Sequence, residues 1–237
     1  MFLNKMQKKN ILIFGGNKGF GNYICSYFVK KKYNVYSISR NKNLIKNHNV
    51  KSIKLDIFDK KTLNNFKLFI LKNRIKFDKV FFSIGDHFKI NEKEISEKLL
   101  KKLLYINVFF PINFINFLIK KKILNNTKFI FSLSDSLKNL RAKPSYIISK
   151  GACEYYIKSQ AFFMKQINCS LSGIIIGPLL HTGSIWDNVR KENKIKFIEK
   201  KKTLKGKKFP KPSDYLSIIK ILDTKSCKQI NGKVFSK

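Results

Sequence analysis

Cysteine is scarce in this sequence, and its spacing excludes the commonest specialised uses of that residue. The four cysteines are Cys25, Cys153, Cys169 and Cys227, none at metal-ligand spacing from another. No histidine pairs with them along the chain, so the pattern does not predict a zinc site. We expect buried, reduced thiols in a cytoplasmic protein, and no metal.

Long apolar runs are also missing. No run approaches the roughly 18 residues that span a membrane. The run at residues 11–14 is shorter than the about 7–15 apolar residues of a signal-peptide core, and a first strand is the better interpretation. With 43% hydrophobic residues, the composition predicts a globular protein with no membrane partner.

Acidic residues and arginine are few. The chain has 50 lysines and arginines but only 14 aspartates and glutamates, which gives a net charge of +36. Only four of the 50 are arginines, so 50 − 4 = 46 are lysines, spread along the whole chain. Nucleic-acid sites favour arginine for bidentate contacts. Codon bias toward A/T explains the abundance of lysine, asparagine, isoleucine and phenylalanine better, and we expect only weak, salt-sensitive binding to polyanions.

Short apolar runs alternate with amphipathic helical segments along the chain. We predict strands at 10–16, 33–41, 49–57, 77–86, 127–136, 169–178 and 230–236, and helices at 19–32, 59–73, 95–121 (interrupted near Pro111), 145–166 and 211–223. The second helix carries the apolar stripe Leu63, Phe66, Phe69 and Ile70. Strand and helix in alternation predict a parallel sheet covered on both faces. The fold class is α/β: one Rossmann-type, doubly wound domain over residues 1–237, with a substrate lid at about 179–205.

The first strand runs into a glycine-rich turn. Gly15, Gly19 and Gly21 form G-x-x-x-G-x-G between a strand and a helix. There, backbone N–H groups can bind a pyrophosphate at the helix N-terminus. An ordinary βα turn is the alternative, but a place at the start of a βα pattern favours nucleotide binding. The other expected cofactor contacts of this turn are Asn17, Lys18 and Phe20.

The end of the second strand indicates which dinucleotide binds. Sites for NAD place an acid there for the ribose 2′-OH, whereas an arginine accommodates a 2′-phosphate. Here the residues are Ser39, Arg40 and Asn41, with no acid among them. Arg40 therefore predicts NADP(H) rather than NAD(H), and Lys18 supplies a second cation nearby.

A tyrosine and a lysine lie four residues apart in the segment SYIISK. On a helix, Tyr146 and Lys150 would share one face, and an ammonium beside a phenol can lower the pKa of the phenol. However, chance alone gives a few such pairs among nine tyrosines and 46 lysines. By itself the pair indicates nothing.

Together, the motifs resemble those of the single-domain short-chain dehydrogenase/reductase family over nearly the whole chain. That family has the glycine turn, an aspartate after the third strand, an asparagine in the fourth helix, a serine at the end of the fifth strand, and Tyr-x-x-x-Lys. The matching residues here are Gly15, Gly19, Gly21, Asp56, Asn107, Ser134, Tyr146 and Lys150. Ser134 precedes Tyr146 by 146 − 134 = 12 residues, close to the family's gap, and it is a better match than Ser132 because it lies at the strand end.

The resemblance implies hydride transfer between a nicotinamide and a carbonyl (a ketone, an aldehyde or a 3-oxoacyl thioester) or the corresponding alcohol. Tyr146 would be the proton donor and Lys150 would lower its pKa and hold the nicotinamide ribose. Ser134 would polarise the carbonyl and Asn107 would position a water. The further cofactor contacts that the resemblance implies are Asp56, Ile57, Gly85, Gly177 and Thr182. It also implies a homodimer or homotetramer through the fourth and fifth helices.

The sequence departs from the family after the fourth strand. Where the family has Asn-Asn-Ala-Gly, this chain has Phe82-Ser83-Ile84-Gly85, so only the glycine is shared. Two other functions therefore stay open: a non-catalytic NADP(H)-binding sensor or scaffold, and a polyanion-binding protein. His181 is interpreted as a solvated loop residue rather than a substrate contact. Trp186 packs either under the lid or in the core. Asp86 with His87 forms either an acid/base couple or a turn.

Overall fold

A computed structural model describes residues 8–41, 49–85, 95–140, 142–181, 184–204, 206 and 208–237. Seven strands of these residues form one sheet in the order β3-β2-β1-β4-β5-β6-β7, and every neighbouring pair is parallel. The strands are β1 (Asn10–Phe14), β2 (Asn34–Ser39), β3 (Val50–Lys54), β4 (Phe77–Phe82), β5 (Leu124–Ser134), β6 (Ser170–Ile176) and β7 (Lys233–Ser236). The predicted strands and their parallel arrangement are thus confirmed.

Helices alternate with these strands. They are α1 (Gly19–Lys30), α2 (Lys60–Lys72), α3 (Glu97–Leu104), α4 (Phe110–Lys120), α5 (Ser136–Asn139), α6 (Pro144–Ser159), α7 (Ala161–Gln166), α8 (Ile185–Glu192), α9 (Lys194–Lys202), α10 (Leu216–Thr224) and α11 (Cys227–Ile230). A π-helical segment (Tyr105–Phe109) joins α3 to α4, and a 3₁₀ turn (Pro212–Tyr215) leads into α10. This alternation is what places a helix against each face of a parallel sheet.

The sheet separates two hydrophobic cores. On one face α2, α4 and α6 pack on the sheet, with Phe66, Phe114 and Ile157 buried among strand residues. On the other face α1 and α10 do so, with Phe28 and Leu222 buried. Strand β1 contributes alternate residues to both cores, as the two-residue period of a strand requires. The result is the predicted doubly wound arrangement.

The predicted break near Pro111 takes the form of a π-helical segment. The helical path from Glu97 to Lys120 does not stop at Pro111, which lies at the start of α4. Proline has no N–H, so the carbonyl four residues earlier, that of Asn107, loses its α-helical donor. The backbone is π-helical over Tyr105–Phe109, immediately before the proline. The irregularity is therefore confined to this segment, which contains Asn107, a residue of the candidate site.

Two helix predictions need correction. The predicted helix at 145–166 is two helices, α6 and α7, which meet at Gln160. In α2, Phe66 and Ile70 are buried, but the side chain of Phe69 is 37% exposed. The ring centroids of Phe69 and Phe66 are 6.4 Å apart, so Phe69 packs on the outer edge of the core. A helix on an open sheet needs only a narrow buried stripe.

One helical stretch among the described residues is long and apolar enough to cross a membrane. It is Glu97–Lys120, and half of its most apolar window is buried. Leu103, Phe114 and Leu118 of this stretch are at most 1% exposed. The same length and composition are found in core helices of globular proteins, and here the buried side packs on the sheet.

Candidate active site

The glycine turn lies where β1 and β4 end side by side. The carbonyl of Phe14 accepts a hydrogen bond from the N–H of Ser83 (2.9 Å), and the N–H of Gly15 donates to the carbonyl of Ile38 (2.8 Å). Gly15 has φ +86°, and a Cβ there would lie 2.3 Å from the carbonyl oxygen of Ser83. A side chain therefore cannot be accommodated at Gly15.

The same exclusion holds further along the turn. A Cβ on Gly21 would lie 2.1 Å from the carbonyl oxygen of Gly15. Gly19, the first residue of α1, has φ +58°. The turn thus exposes backbone at the N-terminus of a helix, the surface that a phosphate can approach. Asn17 is partly buried, Lys18 is exposed and Phe20 is buried.

The crevice at this edge is the switch point of the sheet. Strand β1 has β2 on one side and β4 on the other, and the chain winds away from β1 in both directions. Ligands of open α/β sheets bind outside the carboxyl ends of the strands at this point. Arg40 follows the end of β2 and is exposed. The arginine predicted to contact a 2′-phosphate therefore stands at the end of the strand next to β1.

The residues after β3 form a short turn. The carboxylate of Asp56 accepts a hydrogen bond from the N–H of Phe58 (3.0 Å). Ile57 is buried, and its carbonyl accepts from the phenol of Tyr105 (2.9 Å). Tyr105 begins the π-helical segment, so the turn after β3 is held against that segment.

The Tyr-x-x-x-Lys pair lies on α6. Pro144 is the first residue of that helix, where a missing N–H costs nothing. Tyr146 is 8% exposed and Lys150 4% exposed, so both polar side chains lie against the sheet. The shared helix face predicted from the spacing is therefore observed. Burying a phenol and an ammonium together costs free energy unless both find partners.

Ser134 is the partner of the Tyr146 phenol. It is the last residue of β5, paired with Ile176 of β6, and its hydroxyl lies 2.6 Å from that of Ser136. Burial raises the pKa of Tyr146, a hydrogen bond with Ser134 lowers it, and the nearby carboxylate of Asp135 raises it; the net direction is upward. The phenol is therefore protonated at neutral pH.

Lys150 is held against strand β5 and lies over the Tyr146 ring. Its Nζ donates to the carbonyl of Ser132 (2.7 Å) and lies 5.9 Å from the centroid of the Tyr146 ring. Burial lowers the pKa of Lys150 to about 8. The expected lowering of the Tyr146 pKa is not seen, because desolvation of the phenol outweighs the other influences on it. A Cβ on Gly85 would lie 4.0 Å from the Nζ of Lys150, so the glycine after β4 lies next to this lysine.

Asn107 is tied to the same helix from the π-helical segment. Its Nδ2 donates to the hydroxyl of Ser149 (3.0 Å), which donates to the carbonyl of Tyr146 (2.8 Å). Its Oδ1 is buried and has no hydrogen-bond partner within the described parts of the chain. A buried amide oxygen in that state is costly, which makes it an acceptor for a donor brought by a bound molecule or by water.

Tyr215 is a site residue that sequence reasoning missed. The N–H of Gly177, just after β6, donates to its phenol oxygen (2.7 Å). The Tyr215 ring also meets the ring of Phe20 edge-on at 5.6 Å. It thus joins the loop after β6 to the glycine turn. The only indication of this position in the sequence was the Pro-x-Asp pattern of a helix start directly before Tyr215.

The interpretation of His181 as a solvated loop residue does not match its position in the structure. It is partly buried, and a Cβ on Gly19 would lie 2.4 Å from its Nε2. Trp186 of α8 packs on Phe209 at 5.4 Å, and Phe197 of α9 stacks on Phe209 at 4.8 Å. Helices α8 and α9 therefore share a small aromatic cluster with Phe209. Thr182, Asp86 and His87 lie outside the described residues.

No metal centre is found in the part of the chain that the structure describes, where no three His, Cys, Asp or Glu side chains form a group that could hold an ion. All four cysteines are free thiols, and Cys25, Cys153 and Cys169 are buried. Burial raises the pKa of Cys25 and of Cys153 to about 12. Neither thiol is therefore ionised at neutral pH.

Comparison with known proteins agrees with this geometry. The sequence profile of the short chain dehydrogenase family matches residues 9–193, which is more than half of the chain. The chain therefore belongs to the short-chain dehydrogenase family and is an oxidoreductase. A comparison with curated protein sequences finds no significant match.

Solved structures show the same fold. A short chain dehydrogenase family protein from Francisella tularensis subsp. tularensis SCHU S4 has a TM-score of 0.82 at 24% identity, with 97% of this chain and 96% of that chain covered. A short chain dehydrogenase from Leptospira borgpetersenii serovar Hardjo-bovis with bound NAD+ gives 0.80 at 14%, covering 100% and 95%. A tyrosine-to-phenylalanine variant of ElxO with NADPH bound gives 0.80 at 20%, covering 97% and 96%.

Proposed function

We propose that this oxidoreductase interconverts a carbonyl compound and its alcohol with NADP(H), and that Tyr146 is the proton donor. The observation that carries the proposal is the convergence of Ser134, Tyr146, Lys150 and Asn107 beside a glycine turn at the switch point of the sheet. Similar folds have been solved with NAD+ and with NADPH bound, which supports a nicotinamide dinucleotide as the cofactor.

The residues of the turn fit such a cofactor. Glycines at 15, 19 and 21 leave backbone exposed where a Cβ would clash, and the first turn of α1 contains no acidic side chain. A diphosphate would bind that helix N-terminus, and Arg40 would bind the 2′-phosphate. Lys150 would hold the nicotinamide ribose, next to Gly85. When bound, the nicotinamide supplies or accepts the hydride.

The protein's own groups handle the proton. In the reductive direction the carbonyl oxygen gains negative charge, and the Tyr146 phenol, held protonated by its raised pKa, donates a proton to it. The Ser134 hydroxyl hydrogen-bonds the same oxygen and stabilises its charge. Lys150, with a pKa of about 8, is largely protonated at pH 7 and stabilises the phenolate that remains.

The test is the substitution Tyr146→Phe. We expect turnover of an accepted carbonyl substrate to fall by about 10²–10⁴-fold, with NADPH affinity nearly unchanged, because the phenol acts only as charge develops on the substrate. A screen of aldehydes, ketones and 3-oxoacyl thioesters, followed by NADPH absorbance, provides the substrate. The matched control is Lys158→Ala on the same helix, whose lysine is about half exposed and pairs with Glu154; it should keep full activity.

Two results would contradict this proposal. If Tyr146→Phe keeps more than about a tenth of the activity, the tyrosine is not the general acid. If the wild-type protein binds NADPH but reduces nothing in the screen, the protein is instead a non-catalytic NADP(H)-binding member of its family.

Cofactor choice is tested separately at Arg40. Calorimetric titration should give tighter binding of NADPH than of NADH. Arg40→Asp should move the preference toward NADH by about 1.5–3 kcal/mol, the contribution of a hydrogen bond to a charged group. Equal or tighter binding of NADH by the wild-type protein would show that Arg40 does not select the cofactor.

A further inference from the structure

Asp135 brings a carboxylate to the candidate site, and no role assigned above uses it. The residue follows Ser134, and its N–H donates to the carbonyl of Ile176 (3.1 Å), so its backbone is fixed between the ends of β5 and β6. A Cβ on Gly177 would lie 3.7 Å from the Oδ2 of Asp135. The side chain, which is partly buried, thus lies at the edge of the sheet where open α/β folds bind their ligands.

The fold itself makes little use of this side chain. Asp135 is the N-cap of α5, a helix of only four residues, and its side chain makes no capping hydrogen bond. None of the ion pairs among the described residues includes it. Burial raises the pKa of Asp135, and the opposing effects of Lys200 and of the N–H groups of Ser136 and Asp135 itself do not bring it back to its usual value. Lys200, on α9, lies over the ring of Trp186, with its Nζ 5.7 Å from the ring centroid.

This carboxylate works against the proton donor proposed above. Burial raises the pKa of Tyr146 and of Tyr215, and the charge of Asp135 raises both further. Donation of a proton leaves a phenolate on Tyr146, and a second negative charge nearby destabilises that phenolate. A positive charge on the bound substrate would neutralise this unfavourable effect.

We propose that Asp135 is a specificity-determining residue that binds a cationic group, an amine or a quaternary ammonium, of the carbonyl substrate. The inference rests on the proposed function, because it names the substrate class of that site. The net charge of +36 repels cations from most of the molecule, so a local carboxylate is what would hold one here. The same carboxylate would disfavour carbonyl compounds that carry an anionic group.

Pairs of ketones with the same shape and different charge test the proposal. One pair is acetonyltrimethylammonium and its neutral isostere, methyl neopentyl ketone, and further pairs have a longer methylene spacer between the carbonyl and the branched end. By calorimetry with the complex of protein and NADP+, at least one cationic ketone should bind more tightly than its isostere. Asp135→Asn should reduce this preference about tenfold or more, the effect of one opposite charge at close range.

Three further measurements separate the charge of Asp135 from a structural role. Asp135→Glu keeps the carboxylate and should keep part of the preference for the cationic ketone. Glu97→Gln removes the same charge from an exposed pair on α3 and should bind every ketone as the wild-type protein does. In Asp135→Asn, reduction of the neutral isosteres by NADPH should be no slower than in the wild-type protein, because the carboxylate that opposes the Tyr146 phenolate is gone.

The outcomes distinguish this inference from the proposed function. If the wild-type protein binds neither NADPH nor NADH, the proposed function fails and this inference with it. If it binds the cofactor but binds no cationic ketone more tightly than its neutral isostere, only the role of Asp135 is refuted. That role is also refuted if Asp135→Asn weakens both ketones of a pair equally, because the residue then acts through the structure of the site.

Discussion

Lys150 is a cation buried beside the Tyr146 phenol, and its protonation should affect the stability of the protein. Burial lowers its pKa from 10.5 to about 8. Between those two values the unfolded chain binds a proton that the native chain has released. The free energy of unfolding contributed by this residue therefore rises as the pH increases from about 8 toward 10.5.

We predict that Lys150→Met removes this rise. The free energy of unfolding, measured by urea titration at pH 7.5, 8.5 and 9.5, should increase more steeply with pH in the wild-type protein than in the variant, by about 2 kcal/mol over this range. Because Lys128 also has a pKa of about 8, only the difference between the two proteins is informative. Parallel curves would show that Lys150 is not desolvated in the native state.

At the scale of single residues, the sequence predicted those positions that depend on local spacing. Tyr146 and Lys150 share a helix face because they are four apart, and Ser134 was placed because a strand end precedes a helix. The positions of His181 and Tyr215 beside the glycine turn were missed. Each contacts the α1 region from more than 150 residues away, and no periodicity relates such positions. Such contacts follow only from the packing of the whole sheet.

At the scale of elements, a buried polar cluster fastens α10 to the sheet. Lys79 of β4 pairs with Asp223 of α10 at 3.1 Å, with side chains 3% and 9% exposed. The phenols of Tyr33 and Tyr27 donate to the same carboxylate at 3.0 and 3.2 Å. Burial alone would raise the pKa of Asp223, but Lys79 and these hydrogen bonds hold it below its usual value. Its contribution to stability is therefore lost as the pH falls through that lowered pKa.

We predict that Asp223→Ala destabilises the protein by about 3–5 kcal/mol, because it leaves the Lys79 ammonium buried without its counter-ion. Adding Lys79→Met should recover a large part of that loss, since no buried charge then remains. Urea unfolding at pH 7 measures both. As a control, Glu97→Gln removes an exposed pair with Lys101 and should cost no more than about 0.5 kcal/mol. If the double variant is as unstable as Asp223→Ala, the cost comes from lost hydrogen bonds and not from charge.

The path of α3 and α4 shows where prediction of elements stops. Pro111 correctly indicated an irregularity, since its missing N–H must disturb the helix. The sequence could not indicate that the chain continues through a π-helical segment, because that outcome depends on packing of Phe110 and Phe114 against β1, where both rings meet Phe14 at 5.0 Å. Tertiary contacts thus decided whether the helix ends near Pro111 or continues through a π-helical segment.

At the scale of the whole molecule, a net charge of +36 opposes any close approach of two copies. In 0.1 M salt such repulsion is largely screened between charges more than about 10 Å apart. The same charge attracts polyanions, whose binding should weaken with salt. Self-association and polyanion binding should therefore respond to salt in opposite directions, and a salt series distinguishes them.

We propose that two copies associate through the outer faces of α4 and α6. Ile148 and Tyr155, seven residues apart on α6, are 42% and 76% exposed, and Phe109, just before α4, is 50% exposed. Residues seven apart lie on one face of a helix, so the exposed apolar groups of α6 form a stripe opposite the buried Lys150. Burying such a stripe favours association.

Light scattering at micromolar concentration tests this association. We expect a mass near 2 × 27.8 = 55.6 kDa, with the dimer fraction larger in 0.5 M than in 0.05 M salt because repulsion is screened. Ile148→Lys with Tyr155→Lys should give a 27.8 kDa monomer, since it places charge where apolar surface must be buried. Leu68→Lys on α2, at a residue 62% exposed outside α4 and α6, should leave the dimer intact. A wild-type monomer at every salt concentration would refute the dimer, and dissociation by Leu68→Lys would move the interface to α2.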